Sequence, residues 1–237
     1  MDRDLYVFFS TPDASPDGLM SFRCVNKLID TGILKKENWS CVTNNVNSLA
    51  KNYNDILYSD SVSGKILVLI HSDLIVDDLF LKEKLNERFD RSGKAALVGI
   101  AGGSRVFSGE LNLELWHLMT APGNHLGEVT NGDWKDCLSP VRTTRFGTQG
   151  KRALIVDGCF MAMDVDRVRA AGVRFDESSP SKYNFYDLIF SLRCHWAGLE
   201  IYVDPIHVVH KSVGLTKMTD DFALGNEYFK TNYLSKL

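Results

Sequence analysis

The sequence predicts an α/β domain whose mostly parallel sheet is covered by helices on both faces. Two observations predict it. Short, nearly continuous apolar runs at residues 5–9, 66–70 and 95–100 lack the polar alternation of a half-exposed strand. Between them lie segments in which apolar residues recur at helical spacing, the order that builds a parallel sheet through helical crossovers. A chain of 237 residues, 44% of them apolar, is long enough to bury this core as a single domain.

Residues 5–9 read as a buried strand that empties into a turn-rich loop, 10–18, carrying Pro12, Asp13, Pro16 and Asp17. A helix follows over 19–30, ended by Gly32, and then a strand over 39–43. Asn47 or Ser48 caps a further helix whose Leu49, Tyr53, Ile56 and Leu57 share one face. The run 65–70 ends in His71, Ser72 and Asp73, and in such sheets ligands collect at the carboxyl ends of strands. A third helix is expected over 77–91 and another buried strand over 95–100.

From Ala101 to Lys151 the pattern gives way to glycines, polar residues and isolated aromatics, among them Trp116, His117, His125 and Trp134. A loop-rich insertion is expected there, either functional or disordered. Order returns with a strand over 153–163, broken at Gly158. Next comes a helix marked by Tyr186, Ile189, Phe190, Arg193 and Ala197 and terminated by Gly198, and a last strand begins at Ile201.

The formal charge is −3, and the basic residues are scattered rather than striped along one face, which argues against a nucleic-acid partner. The N-terminal residues have neither a cationic segment nor an apolar stretch long enough for a signal peptide or membrane span, so a cytoplasmic protein is expected. The five cysteines (Cys24, Cys41, Cys137, Cys159, Cys194) are widely spaced without a Cys-x-x-Cys pair, which fits reduced thiols better than a disulfide framework or zinc site.

Three residues carry candidate chemistry. Asp73 either caps the turn after its strand or offers a carboxylate oxygen to a hard divalent cation of the kind that neutralises a departing diphosphate. His210 is either a satisfied core imidazole or a second ligand to such a cation, one that suits manganese better than magnesium; His207 is the more expendable of the two. Asp187 stands in the first turn of its helix, with Asn184 as a candidate cap, where the positive helix terminus favours an ionised carboxylate. It either decorates that terminus or serves as a general base.

The segments 47–57, 66–73, 98–102, 156–162, 175–177, 183–198 and 210–214, in that order, resemble the streptomycin-biosynthesis-type glycosyltransferase-like family, a branch of the family-2 enzymes with the GT-A fold. The similarity runs from about Ser40 to the C-terminus. It implies an inverting transferase that takes a sugar from a nucleoside-diphosphate donor, UDP-sugars being favoured, with Mn2+ or Mg2+, and passes it to a glycan, lipid-linked or protein acceptor. By resemblance Asp187 is the catalytic base, Asp73 the last carboxylate of the metal motif and His210 the histidine that completes the metal shell. Ser10, Asn44, Lys51, His71, Asp73, Asp157 and Gly158 fall on the donor side.

The implied organisation is a nucleotide-binding half over 1–100, an acceptor-side insertion over 101–152 and a catalytic and acceptor half over 153–237. Lys51, Arg142, Arg145 and Lys211 are candidates for charge near the phosphates, and Trp116 and Trp134 either stack on sugar faces or anchor a lid. Two positions depart from the common family-2 pattern: His71 stands where a first Asp is usual, and Tyr186 stands where a Glu precedes the base. The first departure keeps open a non-catalytic scaffold that binds the donor. A sugar nucleotidyltransferase is disfavoured because no glycine-rich basic loop follows the first strand. Peripheral membrane contact is compatible with a chain lacking a spanning segment.

Overall fold

The computed structural model describes residues 2–106, 123–132, 142–211 and 219–237. The first apolar run becomes β1 (Leu5–Ser10), followed by α1 (Met20–Asp30), β2 (Trp39–Val42), α2 (Leu49–Leu57), β3 (Ile66–Ile70), β4 (Leu74–Val76), α3 (Leu81–Arg91) and β5 (Ala95–Gly99). Then come β6 (Ala101–Gly103), β7 (His125–Asn131), β8 (Arg142–Arg145), β9 (Lys151–Ala153) and β10 (Ile155–Val156). The chain continues with β11 (Phe160–Asp164), α4 (Val165–Ala170), α5 (Tyr186–Trp196), β12 (Glu200–Val203), β13 (Val208–His210) and α6 (Asp220–Asn232).

The main sheet has the order β2-β1-β3-β11-β5-β12-β9. β1 is parallel to β2 and β3, and β12 is parallel to β5, while β11 runs antiparallel between β3 and β5. Strand alternation divides the core into two layers. Leu5, Val7, Phe9, Ile66, Val68 and Ile70 pack with α1 and α3, whereas Tyr6, Phe8, Leu67, Leu69, Met161 and Met163 face α2, α4 and α5. Both faces of the central strands are thus apolar, which is why they read as continuous hydrophobic runs. The outer side of α5 packs through Leu188, Ile189 and Leu192 on Phe222 and Phe229 of α6.

The loop-rich expectation for 101–152 is corrected for the part of it that is described. Its described residues contain β6, β7, β8 and the start of β9, and β6, β7 and β8 join β10, β13 and β4 in a second sheet of order β10-β6-β7-β13-β4, with β8 paired to β7. Its glycines gave the segment the look of a loop, yet one of them serves strand pairing: a Cβ on Gly102 would lie 2.2 Å from the Ile155 carbonyl oxygen across β6 and β10. Trp116, His117 and Trp134 lie outside the described residues.

Ser48 caps α2 by accepting from the Lys51 N–H at 3.2 Å, as expected. α3 begins at Leu81 rather than Asp77, because Asp78 Oδ1 accepts from the Phe80 N–H and closes a turn there. The cap expected of Asn184 is not formed. The residue before α5 is Phe185 in a left-handed conformation (φ 65°), and the Asn184 amide donates instead to Asp221. Cys24, Cys41, Cys159 and Cys194 are free thiols, while Cys137 lies outside the described residues. Among the described residues no helix is long and apolar enough to cross a membrane.

One buried amide ties α2 to the segment ahead of the site. Asn54 accepts from the Phe175 N–H at 2.8 Å and donates to the Phe175 carbonyl at 3.0 Å, and the ring thus held stacks on Phe190 of α5 at 3.9 Å. Asn54→Ala leaves both backbone groups without partners, so equilibrium urea unfolding is expected to show a loss of about 2 kcal/mol. A loss below about 0.5 kcal/mol would mean that water replaces the amide freely.

Candidate active site

β1 and β3 are adjacent and parallel, so their carboxyl ends open side by side at Ser10 and His71. β11 arrives antiparallel with Phe160 opposite Ile70, and the His71 N–H donates to the Cys159 carbonyl at 3.0 Å. This reversal lays Asp157 and Gly158 beside the end of β3. β13 pairs antiparallel with β4, placing His210 opposite Leu74, and the Lys211 N–H donates to the Asp73 carbonyl at 2.9 Å. The first turn of α5 reaches the same edge, because Gly158 N–H donates to Asp187.

His71, Asp73 and His210 each present a ligand atom within 4.8 Å of the other two. His210 Nε2 lies 3.2 Å from Asp73 Oδ1, and the His71 and His210 rings are 5.6 Å apart between centroids. Neighbouring ligands of one octahedral cation with bonds of about 2.1 Å stand about 3 Å apart, so the spacing and the mixed nitrogen and oxygen donor set fit a divalent ion. Burial works to raise the Asp73 carboxyl, but the His210 hydrogen bond and the two neighbouring imidazoles outweigh it and hold that carboxyl below its ordinary range. Burial, reinforced by His210, lowers His71 and keeps its imidazole neutral. A carboxylate and a neutral imidazole are the forms that ligate.

Asp187 is 7% exposed and its two oxygens accept separate backbone donors, Gly158 N–H at 2.7 Å and Leu188 N–H at 2.9 Å. Burial, helped by the nearby Asp157 and resisted by the two N–H donors, raises its carboxyl to about 7. Asp157 itself accepts from the Cys159 N–H at 2.7 Å. A carboxylate poised near neutrality, held by backbone groups, is suited to take a proton from a hydroxyl.

Gly158 is required by the packing. A Cβ there would lie 2.2 Å from the Tyr186 hydroxyl, a group that sits 2.8 Å from His71 Nε2. Gly158→Ala must displace a buried ring in contact with the cation corner, in the turn next to Asp187. A loss of turnover of more than about tenfold is expected, with destabilisation of about 1–3 kcal/mol. Parent-like kcat and melting temperature would show that the ring moves aside without cost.

Beside this cluster lies a cavity of about 260 Å³ lined by Ser10, Pro12, Asn45, Leu49, Tyr53 and Tyr183 together with His71, Ser72 and Asp73. Ser10 is therefore brought to the site, where its hydroxyl meets the Asn52 amide at 3.0 Å. Asn44 is exposed at φ 47°, and its neighbour Asn45, buried and bonded to Asn52 at 2.9 Å, takes the lining position. Lys51 is not brought to the cavity; it pairs along α2 with Asp55. Arg145 pairs with Glu128 on the second sheet, Arg142 begins the same exposed strand, and Lys211 directly follows His210. Asn45 and Tyr183 were missed by sequence reasoning. Asn45 sits in a polar run without period, and Tyr183 in a loop whose course is set by Asp221 hydrogen bonds from α6.

The profile described as Glycosyltransferase like family matches residues 36–230, which takes in every residue of the His71–Asp73–His210 cluster and Asp187. No curated protein sequence matches the chain. Among solved structures, similarity is found to A197 from STIV at 11% identity, covering 88% of this chain and 82% of that one with a TM-score of 0.45. Staphylococcal TarS (S. aureus) is 10% identical over 88% of this chain, with a TM-score of 0.46, and the match spans only 37% of TarS. CMP:2-keto-3-deoxy-manno-octonic acid synthetase, complexed with CTP, is 10% identical over 99% of this chain and 100% of that one, with a TM-score of 0.42. The profile match extends over most of the sequence, from β2 through the greater part of α6, and on that ground the chain belongs to the Glycosyltransferase like family.

Proposed function

We propose that the protein is an inverting glycosyltransferase of the streptomycin-biosynthesis-type branch, moving one sugar from a nucleoside-diphosphate donor, UDP-sugars favoured, to a glycan, lipid-linked or protein acceptor. The observation that carries the reading is the meeting, at one sheet edge, of a carboxylate raised to about 7 with the His71–Asp73–His210 cluster and the adjoining cavity. In this reading the cavity between Ser10, Asn45, Tyr53 and Tyr183 takes the nucleoside. Asp157 and Gly158 border the donor sugar, and the first hundred residues carry most of the nucleotide contacts. Residues 101–152 flank the acceptor, and 153–237 supply the base.

Asp187 takes the proton of the acceptor hydroxyl. As it does so, the acceptor oxygen bonds to the anomeric carbon from the face opposite the diphosphate. The bond from that carbon to the leaving oxygen breaks with its electron pair, and the configuration inverts. The paired N–H donors of Gly158 and Leu188 hold the carboxylate in place for this transfer. His71, Asp73 and His210 would hold Mn2+ or Mg2+, and when bound the cation supplies positive charge against the departing diphosphate.

The test is a thermal-shift series of nucleotides and nucleotide sugars with and without Mn2+, followed by product analysis with the donor that binds. A Mn2+-dependent shift with one nucleoside diphosphate and its sugars, and an inverted product, are expected. Binding without transfer or hydrolysis would instead favour the donor-binding scaffold, and no shift with any donor would sink both readings.

A further inference from the structure

Tyr186, which precedes the base, has a hydroxyl 2.8 Å from His71 Nε2, yet the chemistry above does not use it. The residue is 6% exposed. Its ring is held edge-on by Tyr53 at 5.4 Å and 72° and lies 6.4 Å from Phe175, and its hydroxyl rests over the bare backbone of Gly158. A tyrosine has only two side-chain torsions, so a ring boxed in this way presents its oxygen at one point. We propose that Tyr186 is a positioning residue: its oxygen accepts the Nε2–H of His71, turns Nδ1 toward the cation position, and couples the cation corner to the helix turn that carries Asp187.

An imidazole ligates through one nitrogen only, and the partner of the other nitrogen selects the tautomer and the ring orientation. Nε2 is engaged by the hydroxyl, which leaves Nδ1 as the ligating atom of His71. Burial raises the Tyr186 phenol well above its ordinary value, so it stays neutral. Asp187 follows Tyr186 directly and is bonded to Gly158, the residue on which the tyrosine oxygen rests, so one small unit fixes both the ligand and the base. The ligation half of this inference rests on the proposed function; the orientation half does not.

The test uses Tyr186→Phe, which keeps the ring, with Tyr53→Phe as a control. Long-range 1H–15N spectra of labelled protein at pH 8, assigned with His71→Gln, are expected to show the His71 proton on Nε2 in the parent and in Tyr53→Phe, and a mixture of tautomers in Tyr186→Phe. Mn2+ titration followed by electron paramagnetic resonance is expected to show about tenfold weaker binding in Tyr186→Phe. A parent proton on Nδ1, or a Tyr186→Phe protein with the parent tautomer and Mn2+ affinity within about twofold, overturns the proposal. A parent with the Nε2 tautomer that takes up no Mn2+ overturns the ligation half and the cation reading together, while transfer itself is still judged by product.

Discussion

Asp187→Asn is expected to lower kcat for sugar transfer by about 10²–10⁴-fold while donor affinity stays within about twofold. The asymmetry follows from where the group acts. In the proposed mechanism Asp187 meets the acceptor proton only as the new bond forms, and the cavity proposed for the nucleoside is lined by other residues. Asn has the same shape, but it cannot accept a proton, and its amide can satisfy only one of the two N–H donors from Gly158 and Leu188. Steady-state kinetics together with donor titration check this. Normal turnover in the variant would remove Asp187 from the mechanism.

The raised carboxyl adds two pH signatures. Since the base must be ionised, the parent rate should climb through about pH 7 and level above it, a step absent from whatever activity Asp187→Asn retains. The stability effect has the opposite sense. The folded carboxyl titrates near 7 and the unfolded one near 3.8, so between those values the folded state holds a proton that the unfolded chain has released. Folding is therefore increasingly disfavoured as pH rises across that window, with a ceiling of about 4 kcal/mol. Parallel melts should show the stability of Asp187→Asn rising relative to the parent from pH 4 to pH 7 and flat above. A difference that does not change with pH would mean that Asp187 is not buried in this way.

Asp73→Ala and His210→Ala are expected to weaken Mn2+-dependent donor binding by at least about tenfold each, with little effect on whatever binding occurs without the ion. Either substitution leaves two ligands, and loss of Asp73 also removes the only anionic member of the cluster. The double variant should lose little more than either single one, because the residues act on one ion. Calorimetric titration with and without Mn2+ checks both claims. If Mn2+ strengthened donor binding equally in parent and variants, the cluster would have no role in holding the ion.

Much of this arrangement was legible before folding. The buried run 66–70 announced a strand whose end carries His71 and Asp73, and the acid in the first turn of a helix with Tyr186, Ile189 and Phe190 on its period marked Asp187. His210 was legible as a residue but its place was not. That place depends on β4, three residues long, and on its pairing with a strand of equal length, both too short to carry a period. Asn44 and Asn45 are indistinguishable in the sequence; a left-handed turn sends one outward and buries the other. Lys51 had the right charge, but Asp55 one helical turn away holds it on the solvent face.

By itself, then, the sequence determined the α/β class, α1, α2, α3 and α5, the buried strands β1, β3 and β5 and the identity of the candidate base and ligands, because side-chain period, capping and turn chemistry act over a few neighbouring residues. The tertiary structure alone decided that β11 runs antiparallel between β3 and β5, that a second sheet carries His210 to Asp73, and that Tyr186 lies against His71 across a bare glycine. Strand direction leaves no mark on apolar period. Contacts between residues far apart in the chain are chosen by which faces can be buried together, and that choice belongs to the whole core.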